Sequence, residues 1–61
     1  MPFVNIKMYK GRSKEEKRRL ARGVTEAISQ TIGVPEDKIW VVIEDISPSS
    51  WAVGGKMGDE D

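Results

Sequence analysis

Apolar and polar residues alternate from the second residue to the ninth, in the stretch PFVNIKMY. This period of two is typical of a β-strand, whose successive side chains point to opposite faces of a sheet. One face would carry only apolar side chains, those of Val4, Ile6 and Met8. The opposite face would be mixed, with an aromatic residue at each end, Phe3 and Tyr9. We therefore predict that the first strand holds the N-terminus in a fixed position in a sheet.

A helix is predicted to follow the break at residues 10–12. Residues 13–16, SKEE, match the capping box, in which Ser13 and Glu16 each bind the other's backbone N–H through their side chains. Apolar or small side chains then recur at helical spacing and form one stripe. The stripe consists of Leu20, Val24, Ala27, Ile28, Thr31 and Ile32. Gly33 can adopt a left-handed conformation without steric penalty, so the predicted helix runs from Lys14 to Ile32.

A second strand is predicted at residues 39–45, IWVVIED, after a short turn that begins at Pro35. Five consecutive apolar residues favour a strand that is buried on both faces. Strand, helix and strand make an α+β fold, a single β-α-β unit with parallel strands and a right-handed crossover. One helix covers only one face of such a sheet. Because two strands with an uncovered apolar face are not independently stable, we expect a partner chain to cover the other face.

The C-terminal part is predicted to be a loop, a short hairpin and a tail. Residues 47–50, SPSS, are typical of a loop. Residues 51–55, WAVGG, indicate a small strand or hairpin that docks on a neighbouring subunit. Residues 56–61 are polar and are predicted to be a frayed tail. The whole chain, 1–61, is predicted to be one domain.

The composition excludes several classes of protein. The 61 residues include no His and no Cys, so a disulfide framework and a zinc site are excluded. A domain this small usually needs disulfides, a metal or oligomerisation to be stable. Of these three, oligomerisation is the one that the composition leaves open. Ten basic and ten acidic residues give a net charge of zero, which argues against nucleic acid or an acidic membrane as a partner. No apolar run is long enough to span a bilayer, and we expect a cytoplasmic location.

Pro2 is the candidate for catalysis. Removal of Met1, which is usual when a small residue follows, would make the nitrogen of Pro2 a free secondary amine. An α-amino group titrates at roughly 7.7–8.0 in model peptides, near the pH at which a general base works best. The alternative is that Pro2 is only a permissive residue after the start codon. The chain lacks His and Cys, the usual bases and nucleophiles, but taken by itself Pro2 favours the second interpretation.

The chain resembles the 4-oxalocrotonate tautomerase family along nearly its whole length. The shared features are Pro2, the Gly11-Arg12-Ser13 segment that opens the helix, Pro35, an aromatic residue at position 51 and the Gly54-Gly55 pair. The resemblance implies a hexamer, a trimer of dimers in which four-stranded sheets form by dimerisation. It also implies that the C-terminal hairpin locks neighbouring subunits together.

The resemblance further implies a role for each matching residue. Pro2 would be the general base that moves a proton between carbon positions of an unsaturated 2-oxo acid or its dienol. Arg12 would reach in from an adjacent subunit and bind a substrate carboxylate, which its guanidinium fits bidentately. Trp51 would form the apolar wall beside the proline. No metal or organic cofactor is implied, and the partners are a small carboxylate substrate and further copies of the chain.

Trp40 departs from the family pattern. Many members carry a second arginine at this position, which holds a second carboxylate and stabilises charge on the 2-oxygen. Tryptophan cannot form an ion pair, although its indole N–H can donate one hydrogen bond. We therefore expect a substrate with one carboxylate and an apolar tail, such as phenylenolpyruvate, in preference to the dicarboxylate 2-hydroxymuconate. The alternative is that Lys38, Lys7 or Lys56 replaces the missing arginine.

Two other functions remain open at this point. In the first, the chain is a promiscuous hydratase or decarboxylase of the same superfamily, with Pro2 as a protonated acid or an imine-forming nucleophile. In the second, it is a non-catalytic, self-assembling subunit that has lost activity with its second arginine. Retention of Met1 would favour the second, because Pro2 would then be an amide without basicity.

Overall fold

Two parallel strands and one helix form the body of the chain in the computed structural model, which describes residues 1–60. Strand β1 (Phe3–Tyr9) pairs with β2 (Trp40–Ile46) in a register that sets Phe3 opposite Trp40 and Tyr9 opposite Ile46. Helix α1 (Lys14–Ile32) connects them, and a short 3-10 turn (Glu36–Lys38) leads into β2. The predicted β-α-β unit with parallel strands is confirmed, and Asp61 lies outside the described residues.

The ends of α1 are specified by side chains that the sequence pattern identified. The hydroxyl of Ser13 accepts a hydrogen bond from the Glu16 N–H at 3.1 Å. In return, the Glu16 carboxylate accepts one from the Ser13 N–H at 2.9 Å. At the other end Gly33 has φ 73° and donates its N–H to the Ser29 carbonyl at 2.9 Å. The predicted helix bounds are therefore confirmed, because each end has a local cap that competes with further helix.

The core lies between α1 and one face of the sheet, and it is small. Ile39 is the only apolar residue among the 60 described that is buried, with 8% of its surface exposed. The radius of gyration is 14.4 Å, whereas a compact chain of this length has a radius of about 10–11 Å. The free energy gained by burying so little apolar surface compensates poorly for the conformational entropy that the chain loses on folding. We therefore expect the single chain to be unstable without a partner.

The second face of the β1–β2 sheet, which we call the open face, is exposed in the single chain. The side chains of Phe3 and Trp40 are more than half exposed, and Val42 is 41% exposed. The structure shows this face uncovered in the single chain, as expected, and its burial by a partner chain stays a prediction. The residues of β2 from Trp40 to Ile43 alternate between exposed and partly covered because α1 packs on one face of the sheet. An ion pair between Lys7 and Glu44, at 2.6 Å, lies in the middle of this face.

The C-terminal segment forms a hairpin of two short strands, β3 (Ala52–Val53) and β4 (Lys56–Met57). Gly54 and Gly55 join them with φ values of 60° and 83°, the two positive values that a tight hairpin turn requires. The predicted hairpin is confirmed. The predicted frayed tail at 56–61 is wrong for its first two residues, because the glycine turn brings them back to pair with β3. Docking of this hairpin on a neighbouring subunit stays a prediction.

Residues 47–50, predicted as a loop, contain a 3-10 turn (Pro48–Ser50). The hydroxyl of Ser47 accepts a hydrogen bond from the Ser49 N–H at 3.3 Å and caps this turn. Proline at the first position of the turn fits because its missing N–H would have no partner there. The turn reverses the chain after β2 and so directs residue 51 back toward the end of β1. In residues 1–60, no helix is long and apolar enough to cross a lipid bilayer.

The capping box predicts a pH-dependent contribution to stability. The Ser13 N–H, as the main cause, holds the pKa of the Glu16 carboxyl below its ordinary value of 4.5. A carboxyl whose pKa is lowered by folding stabilises the protein above its unfolded pKa, and this contribution is lost as the pH falls through the folded pKa. We expect Glu16→Gln to lower the free energy of unfolding at pH 7 and to have a progressively smaller effect below pH 4.5.

Ser13→Ala is the matched control, because it removes the hydroxyl but keeps the backbone N–H that binds Glu16. It should lower the free energy of unfolding by about 1 kcal/mol, and most of that loss should persist in acid. Urea denaturation between pH 3 and pH 7, at one protein concentration, measures both variants. A Glu16→Gln effect that stays constant over this range would contradict the assignment.

Candidate active site

The four residues predicted for the site lie in two groups at opposite ends of β1. Pro2 immediately precedes the strand, and its carbonyl accepts a hydrogen bond from the Trp40 N–H at 3.0 Å. Arg12 and Trp51 lie beyond the other end. Seven residues of parallel strand span about 23 Å, at roughly 3.3 Å per residue. Within one chain, Pro2 therefore lies near Trp40, and Arg12 lies near Trp51. The two pairs are at opposite ends of β1 and do not meet.

The Pro2 end of the sheet is apolar and accessible. Phe3 and Trp40 face each other across the two strands, with 59% and 56% of their surfaces exposed. The hydrogen bond between the Trp40 N–H and the Pro2 carbonyl extends the sheet pairing to the residue before β1. Met1 is 77% exposed. While Met1 is attached the Pro2 nitrogen is an amide, and the exposure of Met1 leaves the bond between them open to an aminopeptidase.

Arg12 lies just before the first turn of α1 with most of its side chain in solvent. Its guanidinium Nη1 is 3.6 Å from Glu16 Oε2, too long for a strong hydrogen bond, and the pair is about half exposed. An exposed ion pair of this kind contributes little to stability. A cation is also disfavoured near the N-terminus of a helix, where the helix dipole is positive. Helix stabilisation therefore does not explain Arg12, and its planar fork can take a carboxylate.

A cavity of about 400 Å³, which we call the Arg12 cavity, lies beside this residue. It is lined by Lys7, Met8, Tyr9, Arg12 and Trp51. A smaller cavity of about 160 Å³ adjoins Arg12 on the helix side, against Met8, Glu16, Lys17 and Leu20. In the Arg12 cavity a guanidinium and an indole share one space. This combination suits a ligand with one carboxylate and an apolar body, because the cation binds the charge and the aromatic ring packs the remainder.

The wall formed by Trp51 is supported by Tyr9. The two rings meet edge to face, with centroids 5.1 Å apart and an interplanar angle of 86°. Tyr9 was recognised in the sequence only as the aromatic residue at the end of the strand. The pairing joins residues 42 positions apart, and no local pattern indicates it. The return of the chain through the Pro48–Ser50 turn is what brings them together.

The three lysines considered as substitutes for a second arginine differ in their surroundings. The ammonium of Lys7 contacts Glu44 at 2.6 Å and Asn5 Oδ1 at 3.3 Å. The same contact with Lys7 is the main reason that the pKa of Glu44 is lowered from 4.5. Lys7 is thus engaged by a carboxylate on its own chain. Within residues 1–60, Lys38 and Lys56 make no ion pair, and Lys38 lies two residues from Trp40.

The described part of the chain, 1–60, contains no group of three or more acidic side chains placed to hold a metal ion. The groups in the candidate site that can take part in chemistry are those of the residues named above. They are a potential amine at one end of β1, and a guanidinium with an aromatic wall at the other end.

A model of the tautomerase enzyme family matches residues 2–60. A probable tautomerase of Bacillus cereus is 52% identical over 56 residues, which cover 92% of each chain. A 2-hydroxymuconate tautomerase of Bacillus subtilis is 48% identical over 56 residues, covering 92% of this chain and 90% of the relative.

A solved structure of similar fold is the heterohexameric 4-oxalocrotonate tautomerase of Chloroflexus aurantiacus. It is 35% identical, superposes with a TM-score of 0.93, and the match covers 98% of this chain and 97% of the other. The likeness extends over the β-α-β unit and the C-terminal hairpin together. With the match of the family model to almost every residue, these comparisons show that the chain belongs to the tautomerase enzyme family.

Proposed function

We propose that this chain, after removal of Met1, tautomerises unsaturated 2-oxo acids with the amine of Pro2 as general base. The observation that carries the proposal is the placement of Pro2. It sits at the start of β1, and its carbonyl accepts the Trp40 N–H at 3.0 Å. A terminal amine held in this way has a fixed position from which to approach a carbon atom. Catalysis by proton transfer depends on such positioning as well as on pKa.

The proposed reaction needs one base and one anion site. The neutral amine of Pro2 accepts a proton from the enol hydroxyl or from a carbon next to the carbonyl. The resulting ammonium then returns a proton to another carbon of the conjugated system, so that no proton is gained or lost overall. Arg12 holds the substrate carboxylate, and Trp51 packs against the apolar part. An apolar pocket would favour the neutral, basic form of the amine.

The site is proposed to form between subunits, with Pro2 from one chain and Arg12 and Trp51 from an adjacent one. The length of β1 separates the two groups within a chain, as described above. The open face, with Phe3 and Trp40 exposed, gives a reason for association. The relative from Chloroflexus aurantiacus is a heterohexamer. We propose that this chain forms a hexamer built as three dimers. Its cytoplasmic location remains a separate prediction.

The substrate is proposed to carry one carboxylate and an apolar or aromatic tail. Arg12 supplies one cation, whereas the position of the second is occupied by the uncharged Trp40. Lys7 is engaged by Glu44 and does not readily replace it. A dicarboxylate such as 2-hydroxymuconate would leave one carboxylate without a partner, at a cost in binding. Phenylenolpyruvate can place its ring against the exposed indole instead, and we expect it to be the better substrate.

Replacement of Pro2 tests the base directly. Pro2→Ala keeps a small residue that permits Met1 removal, but it changes the secondary amine to a less restrained primary one. We expect kcat/KM for phenylenolpyruvate to fall by about 10² to 10⁴, the usual contribution of a general base. Absorbance assays, on protein whose mass shows that Met1 is absent, measure this effect.

Protein that retains Met1 provides the matched control, since its Pro2 nitrogen is an amide, and it should be as inactive as the variant. Full activity in either protein would contradict the role of Pro2. Inactivity of correctly processed, oligomeric protein on both substrates would instead favour a purely structural subunit. Hydration or decarboxylation that depends on Pro2, without tautomerisation, would favour the promiscuous alternative.

Trp40→Arg tests the substrate preference. A guanidinium at this position would bind the second carboxylate and stabilise charge on the 2-oxygen. We expect kcat/KM for 2-hydroxymuconate to rise by about 10² to 10³ relative to that for phenylenolpyruvate, as for an oxyanion donor. Trp40→Phe keeps an uncharged aromatic side chain and should keep the original preference. An unchanged ratio in Trp40→Arg would contradict the proposed specificity.

A further inference from the structure

We propose that Tyr9 is a positioning residue, whose ring holds Trp51 against the Arg12 cavity and whose place is kept open by Gly58. The inference rests on the proposed function, in that Trp51 is taken to pack against the substrate. It concerns two residues, at the end of β1 and after the hairpin, that the roles proposed above leave unexplained.

The first observation is the aromatic contact itself. Tyr9 and Trp51 meet edge to face at 5.1 Å, and both rings line the Arg12 cavity. The edge-to-face arrangement sets the electropositive edge of one ring against the electronegative face of the other, so it fixes an orientation as well as a distance. Tyr9 is the last residue of β1 and is paired with Ile46 of β2. Its backbone is therefore fixed in the sheet, from which its ring can support the C-terminal segment that carries Trp51.

The second observation is that the backbone of Trp51 is held only locally. Its N–H donates to the Pro48 carbonyl at 3.2 Å, and its carbonyl accepts the Gly58 N–H at 2.7 Å. Both contacts belong to the same short C-terminal segment. Neither of these hydrogen bonds reaches β1, whereas the ring contact joins the indole to Tyr9 at the end of that strand. The orientation of Trp51 relative to Arg12 therefore depends on the Tyr9 ring.

The third observation explains Gly58. A Cβ atom at this position would lie 2.2 Å from the Tyr9 hydroxyl oxygen and 2.9 Å from its Cζ. Both distances are far inside van der Waals contact, and the Pro48 carbonyl oxygen would lie 3.1 Å away, so a larger residue would displace the Tyr9 ring and crowd this carbonyl. The backbone of Gly58 does not have a positive φ. The position therefore excludes a side chain for lack of space and not because of its backbone conformation.

Substitution of Tyr9 distinguishes a role in orienting Trp51 from a role in the proton transfer. Tyr9→Leu removes the ring, and we expect KM for phenylenolpyruvate to rise by roughly two- to tenfold, the range that one aromatic pair supports. We expect kcat to change less, since Tyr9 supports the wall that binds the substrate and takes no part in the proton transfer by Pro2. The pH profile should be unchanged. Tyr9→Phe keeps the ring and should restore the wild-type KM.

Gly58→Ala displaces the ring without removing it, and we expect it to raise KM in the same direction. In the Tyr9→Leu background the added methyl group has no ring to displace, so the two substitutions should not be additive. A double-mutant cycle measures this coupling. Sedimentation velocity on each variant shows whether assembly is retained.

The orientation of Trp51 can also be followed without activity. In a Trp40→Phe background Trp51 is the only tryptophan, and its emission should shift to longer wavelength in Tyr9→Leu and Gly58→Ala but not in Tyr9→Phe. If wild-type protein proves inactive, the proposed function fails while this measurement still decides the positioning role.

Three results in these variants would each overturn the inference, apart from those that involve assembly or Pro2. They are an unchanged KM and emission in Tyr9→Leu, an equal rise in KM in Tyr9→Phe, and additive effects of Tyr9→Leu and Gly58→Ala. A rise in KM confined to variants that dissociate would also overturn it. If Pro2→Ala is inactive while the Tyr9 variants match wild type, the proposed function stands and the positioning role falls.

Discussion

The packing of one helix against one face of a two-stranded sheet determines most of what this chain can do. Helix α1 packs against β2 on one face of the sheet and leaves the opposite face, with Phe3 and Trp40, in solvent. Two strands and one helix bury too little surface to be stable alone, and the extended shape of the chain reflects that deficit. We therefore expect association to be needed for stability. It is also what would bring Pro2 near Arg12, because β1 keeps them at its two ends.

The distribution of charge limits the chemistry in a similar way. Several cations on the surface are held by carboxylates of the same chain, such as Lys17 by Asp45 and Arg22 by Glu36. Arg12 differs, since its contact with Glu16 is long and mostly exposed. In the proposed site, the absence of an arginine at position 40 would leave Arg12 as the one cation dedicated to a substrate carboxylate. For this reason the proposed substrate specificity follows from the lack of charge at Trp40 more than from the shape of the cavity.

Features that depend on neighbours in the sequence could be predicted, and those that depend on distant packing could not. The limits of α1 followed from Ser13 and Gly33, because caps act within one turn. The parallel pairing of β1 and β2 followed from the length of the crossover. The contact of Tyr9 with Trp51, and the need for space at Gly58, arise only when the hairpin folds back on β1. The polar composition of residues 56–61 predicted a tail, but Lys56 and Met57 form a strand. The reason is that a glycine turn pairs the residues on its two sides regardless of their polarity.

The claim that the site is shared between chains can be tested by mixing two defective variants. Pro2→Ala and Arg12→Ala should each be nearly inactive alone. If Pro2 and Arg12 of one site come from different chains, unfolding and refolding the two variants together leaves about a quarter of the sites with both residues intact, and activity should return to that level. If both residues come from the same chain, every site carries one defect. Activity of the mixture that stays at the level of the separate variants would contradict the shared site.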